Sequence, residues 1–350
     1  MKKIIIVFAS LGVLACGTPK LVVANPDNSN NNSSDAVVKD GPEGLKANPE
    51  SMASGPLKTY AVTSEAEVGK IIGFLASDEL GGRDTGSEGI EKAALYIENH
   101  FKVNGVAPYY QSYRDTLSNY KDPAFNVVGV VPGNDAGLKD EVVIIGAHYD
   151  HIGRANAVKG DAIANGANDN ASGTTAVLEM AKYFGKNKTN KRTLVFALFS
   201  AEEKGLLGSE HLAKRMKREN INLYAMLNFE MIGVALQDKP YDLYITGFEK
   251  SNLAEVSNAY AGGDLIGYLP TAKKYGLFGR SDNYPFYTEF KVPSHTYCTF
   301  DFTNFDFYHK PGDEVALMDM SHMSKMINRL TPVVEGIANG AKEELKMTKD

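Results

Sequence analysis

Cysteine is almost absent from this 350-residue chain: Cys16 and Cys298 are the only two, and no Cys-x-x-Cys pair occurs. That scarcity excludes a disulfide scaffold and a thiolate zinc site, so any metal must be held by His, Asp and Glu. Concentrated positive charge is also lacking. With 37 Lys and Arg against 43 Asp and Glu the net charge is −6, and no basic run stands out, which argues against nucleic acid as a partner. The apolar run at residues 4–15 falls short of the roughly 20 residues that a spanning helix needs. What is present in quantity is apolar residues, 43% of the chain, enough to bury one large α/β core.

The run at 4–15 follows Lys2-Lys3, the charge-then-apolar order of a secretory signal. It ends Val13-Leu14-Ala15-Cys16-Gly17, which resembles a bacterial lipoprotein box with Cys16 as the lipidated residue, although Leu14 is larger than such a box prefers. Val22-Val23-Ala24 offers an ordinary cleavage point instead. Both readings export the protein, to the periplasm or as a lipoprotein of the outer membrane or cell surface, with lipidated Cys16 as membrane anchor. Residues 1–24 are therefore read as signal peptide. Residues 25–60, rich in Asn, Ser, Pro and Gly, are read as a disordered linker. A single domain is expected over 61–350.

Within that domain helical and strand-like segments alternate. Val68, Ile71, Ile72 and Leu75 mark an amphipathic helix with Ser64 as a cap, and Ile90, Ala94, Ile97 and Phe101 mark a second. Strands are expected at 125–131, 142–146, 194–199, 225–229, 241–246 and 294–300, and a closing helix carries Met323 through Ile337. Continuous apolar strands separated by helices predict an α/β fold, a mostly parallel mixed sheet flanked by helices on both faces. Cys298 reads as a buried core residue of the last strand, and residues 262–285 as an irregular loop over the site.

Polar clusters follow the strands. His148-Tyr149-Asp150-His151 comes after one, Glu202-Glu203 after another, Glu230 ends a third, and His309 lies beyond the last; Asp169 sits just ahead of a helix. In open α/β sheets ligands bind outside the carboxyl ends of the strands, where all of these fall. A lone Asp before a helix is usually an N-cap. In this company Asp169 reads as the carboxylate shared by two metals. Two imidazoles and three carboxylates suit Zn²⁺, with Mn²⁺ or Co²⁺ as substitutes, and five protein ligands exceed one tetrahedral ion. They fit two ions about 3.5–4 Å apart.

The ordered set Gly146-Ala147-His148-Tyr149-Asp150, Gly166-Ala167-Asn168-Asp169-Asn170-Ala171-Ser172-Gly173, Ala201-Glu202-Glu203-Lys204-Gly205-Leu206-Leu207-Gly208-Ser209, Glu230-Met231-Ile232-Gly233 and Tyr308-His309 resembles the co-catalytic di-zinc aminopeptidases. Their superfamily of zinc exopeptidases also includes glutamate carboxypeptidases and glutaminyl cyclases. The likeness runs from about Ile72 to the closing helix. It implies a zinc-exopeptidase, phosphorylase/hydrolase-like architecture and two Zn²⁺ ions per chain. It further implies that His148 and Glu230 hold one ion, Glu203 and His309 the other, and that Asp169 bridges them. Asp150 then orients the imidazole of His148, and Glu202 is the general base. Glu230 departs from the pattern, since most relatives have Asp there, and Asn283 stands where His often follows a Ser-Asp pair; no catalytic role is assigned to it.

The expected activity is that of a zinc metallopeptidase, an aminopeptidase acting on peptides with a free N-terminus. A carboxypeptidase or dipeptidase would share every ligand. A glutaminyl cyclase typically works with a single zinc, and a non-catalytic binding domain would have lost ligands. Among the other histidines, His100, His211 and His322 are expected on helix surfaces and His295 in a structural strand position. His151 is left open between a contact at the site and none.

Overall fold

The computed structural model describes residues 57–349. The signal peptide, Cys16 and the linker as far as residue 56 lie outside the described residues. From the start of the described chain the backbone is tied down: Lys58 donates to the Ala261 carbonyl at 2.7 Å and Tyr60 to that of Asn328 at 2.8 Å. Helix α1 (Glu65–Leu75) follows, with Ser64 and Glu67 forming a reciprocal capping box. Next comes α2 (Glu88–Val103), capped by Ser87. Both bury the apolar stripe read from their spacing.

The continuous apolar runs become central strands: β1 (Phe125–Val131), β2 (Glu141–His148), β3 (Thr193–Phe199), β4 (Asn222–Glu230), β5 (Leu243–Ile245) and β6 (Ser294–Cys298). They pair in the order β1-β3-β2-β4-β6-β5. The inner four, β3, β2, β4 and β6, are mutually parallel, whereas β1 runs antiparallel to β3 and β5 antiparallel to β6. Short strands extend both edges, making nine in this sheet among the described residues.

Successive side chains of one strand face opposite ways, so each inner strand feeds two cores. Val143, Ile145 and Ala147 of β2 face one core, which α1, α2, α3 (Gly173–Asn187), α5 (Leu253–Ala261) and α7 (Met320–Asn339) cover. Α4 (Leu207–Arg218) and α6 (Asn283–Phe290) cover Val142 and Ile144 on the other. The two-faced burial explains why these strands read as unbroken apolar runs.

Residues 262–285 hold more order than an irregular loop. They contain a short helix, Pro270–Lys274, and a single 3₁₀ turn, Leu277–Gly279, and lead into α6. Three helical histidines are also less exposed than expected: His100 is half-buried and His211 and His322 are buried. His211 sits beside buried Asp115 at 3.3 Å. An exposed helix turn is a property of neighbouring elements, which helical spacing does not report.

Candidate metal centre

The metal ligands and the two carboxylates assigned beside them from sequence gather at the carboxyl ends of β2, β3 and β4, the segment before α3 and the loop after β6. His148 is the last residue of β2. Its Nδ1 lies 3.1 Å from the carbonyl oxygen of Asp150. A carbonyl only accepts, so that partner assigns the proton to Nδ1 and turns the Nε2 lone pair into the cleft. Nε2 has no hydrogen-bond partner although buried, and faces Asp169 Oδ1 at 3.2 Å. On the other side Asp169 Oδ2, likewise buried and unpartnered, faces His309 Nε2 at 3.2 Å. His309 Nε2 is also 3.2 Å from Glu203 Oε2. One carboxylate thus stands between two imidazoles.

Donor atoms fall into two groups, each compact enough for one ion: His148 with Glu202 and Glu230, and His151 with Asp169 and Glu203. Orphaned buried donors of N and O type, aimed at shared space, fit metal binding. The charges of these groups perturb one another strongly. Burial opposes a charge on His148, yet Glu202 and Asp169 push its pKa well above the usual imidazole range. Burial would raise Asp169, but His148 and His309 hold it well below the usual carboxylate range. Burial raises Glu230 to about 7, and Asp169 adds to the effect. Glu202 is raised well above its usual range by burial, against the pull of His148, with Glu230 and Asp282 reinforcing the rise.

Asp150 does more than the expected orienting task, and does that one through its main chain. Its carboxylate is 3.7 Å from His148 Nδ1, farther than its own carbonyl. Instead the carboxylate accepts from the backbone N–H of Glu202 at 3.2 Å, that of Glu203 at 3.3 Å and the Thr85 hydroxyl at 3.1 Å. It therefore pins the turn that carries both glutamates.

Asp169 owes its placement to residues that carried no signal in sequence. The backbone N–H groups of Asn168 and Asp169 donate to the two carboxylate oxygens of Asp313, at 2.7 and 3.0 Å. Arg83, with 1% of its surface exposed, donates to the carbonyls of Leu75, Tyr149, Asn165 and Gly166. Both hold loops rather than facing the cleft. The side chain of Asp169 caps no helix; α3 begins four residues later, at Gly173. A Cβ on Gly173 would lie 2.2 Å from the Phe229 carbonyl, so glycine lets α3 press against β4 and bring Asp169 to Glu230.

Ser281 donates to Glu230 Oε2, and Asp282 beside it is fully buried with neither carboxylate oxygen partnered. Asn283 is structural: its amide binds the carbonyls of Phe278 and Ser294 and accepts from Thr296. Beside Glu230 opens a small cleft walled by Met231, Tyr244, Leu277, Cys298, Phe300 and Tyr308. Cys298 is buried, as read from its strand, and burial pushes its thiol up to about 12.

A family model described as peptidase family M28 matches residues 126–334, more than half of the chain, from β1 into α7, and includes all these ligands. The chain belongs to peptidase family M28. The chain is similar to a probable leucine aminopeptidase of Arthroderma otae, 30% identical over 69% of this chain and 63% of the relative. Aminopeptidase YwaD of Bacillus subtilis is 29% identical over 57% of this chain and 40% of its own length. The chain spans about two fifths to three fifths of the curated relatives it matches. Among solved structures, an aminopeptidase from Aneurinibacillus sp. strain AM-1 superposes with TM-score 0.61 at 18% identity, over 80% of this chain and 95% of that one. Porphyromonas gingivalis glutaminyl cyclase superposes with TM-score 0.59 at 15% identity, over 78% and 98%. These two likenesses establish the M28 fold, a mixed α/β sheet flanked by helices.

Proposed function

We propose that this M28 chain is a two-zinc aminopeptidase that releases residues from peptides with a free N-terminus. The observation that carries it is Asp169, whose two oxygens each face an imidazole, His148 at 3.2 Å and His309 at 3.2 Å. His148 and Glu230 would hold one zinc and Glu203 and His309 the other, with Asp169 common to both. When bound, two such ions supply an acidified water and offset charge developing on the substrate carbonyl.

The chain's own residues do the rest. Glu202 lies within ligand distance of His148 and Glu230, and its raised pKa suits a group that must take a proton and give it back. It accepts the proton of the attacking water and returns it to the leaving amine. Asp150 holds the backbone of Glu202 so that this carboxylate meets the cleft. The apolar cleft beside Glu230 takes the side chain of the residue being released. Export, through the signal peptide or through a lipid on Cys16, would deliver this activity to peptides outside the cytoplasm.

The test is hydrolysis of aminoacyl anilides, with free and with acetylated amines, by protein lacking the first 25 or so residues. Hydrolysis of the free-amine set alone, abolished by chelation and restored by zinc, is the expected result. No hydrolysis of either set with two zinc ions bound would turn the assignment to a carboxypeptidase or dipeptidase. A single bound zinc with cyclisation of N-terminal glutamine would indicate a glutaminyl cyclase, and no bound metal a binding domain.

A further inference from the structure

His151 is fully buried at the centre, three residues past the first imidazole, and the roles assigned above do not use it. Its Nδ1 lies 2.9 Å from Glu203 Oε1, while the other oxygen of the same carboxylate, Oε2, faces His309 Nε2 at 3.2 Å. The two oxygens of Glu203 are therefore divided between two imidazoles. Ligand atoms sharing one tetrahedral zinc sit about 3.3 Å apart, the edge that metal–ligand bonds of about 2.0–2.1 Å define. The His309 contacts, both 3.2 Å, have that spacing. The His151 contacts, although within reach of one ion, do not: 2.9 Å to Glu203 is hydrogen-bond length, and 3.7 Å to Asp169 Oδ2 is too long.

The ring is also locked in place. Its backbone N–H donates to the Arg83 carbonyl, and its face lies on Gly166, where a Cβ would come within 2.6 Å of Cγ and Cδ2. Its plane stands at 67° to that of His309, with centroids 5.7 Å apart.

We propose that His151 is a positioning residue: its Nδ1–H binds Glu203 Oε1 and so leaves Oε2 alone to ligate the second metal. This rests on the reading of Glu203 as a metal ligand. With Oε1 engaged, Glu203 would have a single oxygen free to hold a metal, rather than both. Partners that orient ligating groups in this way typically change metal affinity 10–100-fold when removed.

The test compares His151→Ala and His151→Asn with the unaltered protein. The amide of Asn can donate from nearly the position of Nδ1 but is a poor zinc ligand. Zinc stoichiometry, affinity for each ion by chelator competition, and the visible spectrum of the cobalt-substituted protein are read on all three. The expected result is a 10–100-fold weaker second ion in His151→Ala with the first unchanged. A weaker cobalt band should accompany it as coordination number rises, and both should recover in His151→Asn. Equal loss in both variants would show that His151 ligates directly and overturn the proposal, as would no loss in either. If His151→Ala does not fold, His151→Asn decides alone: near-native affinity supports the role, and weakening like that expected for Ala sinks it. Fewer than two ions on the unaltered protein would instead break the two-zinc reading on which the proposal rests.

Discussion

At the scale of single residues, neighbours with the same chemistry have been given different work by the atoms around them. Glu202 and Glu203 leave one turn, yet Glu203 meets two imidazoles whereas Glu202 faces His148 and Glu230. Burial raises Glu202, while the imidazoles of His151 and His309 hold Glu203 below its usual range against burial and Asp169. Replacing the base alone should thus separate catalysis from metal binding. Glu202→Gln is expected to lower kcat by about 10²–10⁴-fold, with zinc content by atomic absorption unchanged. Loss of zinc in step with activity would make Glu202 a ligand instead. Arg83 acts through structure. Arg83→Met removes donors from four buried carbonyls and should cost on the order of 3 kcal/mol of stability, read as a lower midpoint in urea unfolding. An unchanged midpoint would mean that water replaces the guanidinium.

At the scale of elements, the parallel strands act as a rack. Each delivers its ligand at its carboxyl end, and the loops beyond are fastened by groups from elsewhere in the chain, Asp150 to the turn after β3 and Asp313 to the segment before α3. The outer part of the rack carries a pH dependence of its own. His295 on β6 is fully buried, with Nδ1 at 2.7 Å from the Thr246 carbonyl and Nε2 at 2.7 Å from the Ser251 hydroxyl. Burial pushes its pKa down from 6.5 to about 4, although the carbonyl opposes the shift. A depressed folded value means that the unfolded chain takes up the proton first. The stability contribution is therefore complete above the unfolded value and is lost as pH falls toward 4. Between pH 8 and pH 5 this group alone removes roughly 2 kcal/mol. In denaturant titrations His295→Asn should be less stable at neutral pH but should lose less on acidification; a parallel pair of curves would remove His295 as the cause.

At the scale of the whole molecule, the concentration of acidic groups at one end of the sheet makes folding and metal binding interdependent. Asp150, Asp169, Glu202, Glu203, Glu230 and Asp282 lie close enough to perturb one another. Ligands that bind only the folded chain stabilise it by mass action, about 2.7 kcal/mol per ion at a hundredfold excess over Kd. Chelation should therefore lower the thermal midpoint by several degrees, and zinc, but not magnesium, should restore it. Calorimetry with and without chelator measures this, and coincident midpoints would mean that the fold does not depend on the ions.

How much of this was legible depends on the range of the interaction concerned. Strand-like runs at 125–131, 142–146, 194–199 and 225–229 lie within β1 to β4, because two-faced burial demands apolar residues at every position. Ligands could be named because His148, Glu203 and Glu230 end or closely follow their strands, Asp169 and His309 lie in the polar loops beyond, and all five have side-chain chemistry suited to a metal. Arg83, Asp313 and the bond from Ser281 to Glu230 could not be, since Arg83 acts mainly on carbonyls 66 to 83 residues away, Asp313 on backbone 144 and 145 away and Ser281 on a side chain 51 away, and chain order does not report such contacts. His151 lay in view, but its choice between ligand, partner and bystander turns on tenths of an ångström around Glu203. By itself the sequence determined the α/β alternation, the donor types and their order along the chain, because periodicity and side-chain chemistry are local. Only the tertiary structure decided which oxygen faces which imidazole, which carboxylate braces a loop, and how deeply each charge is buried, because these depend on distances between segments that the chain order does not encode.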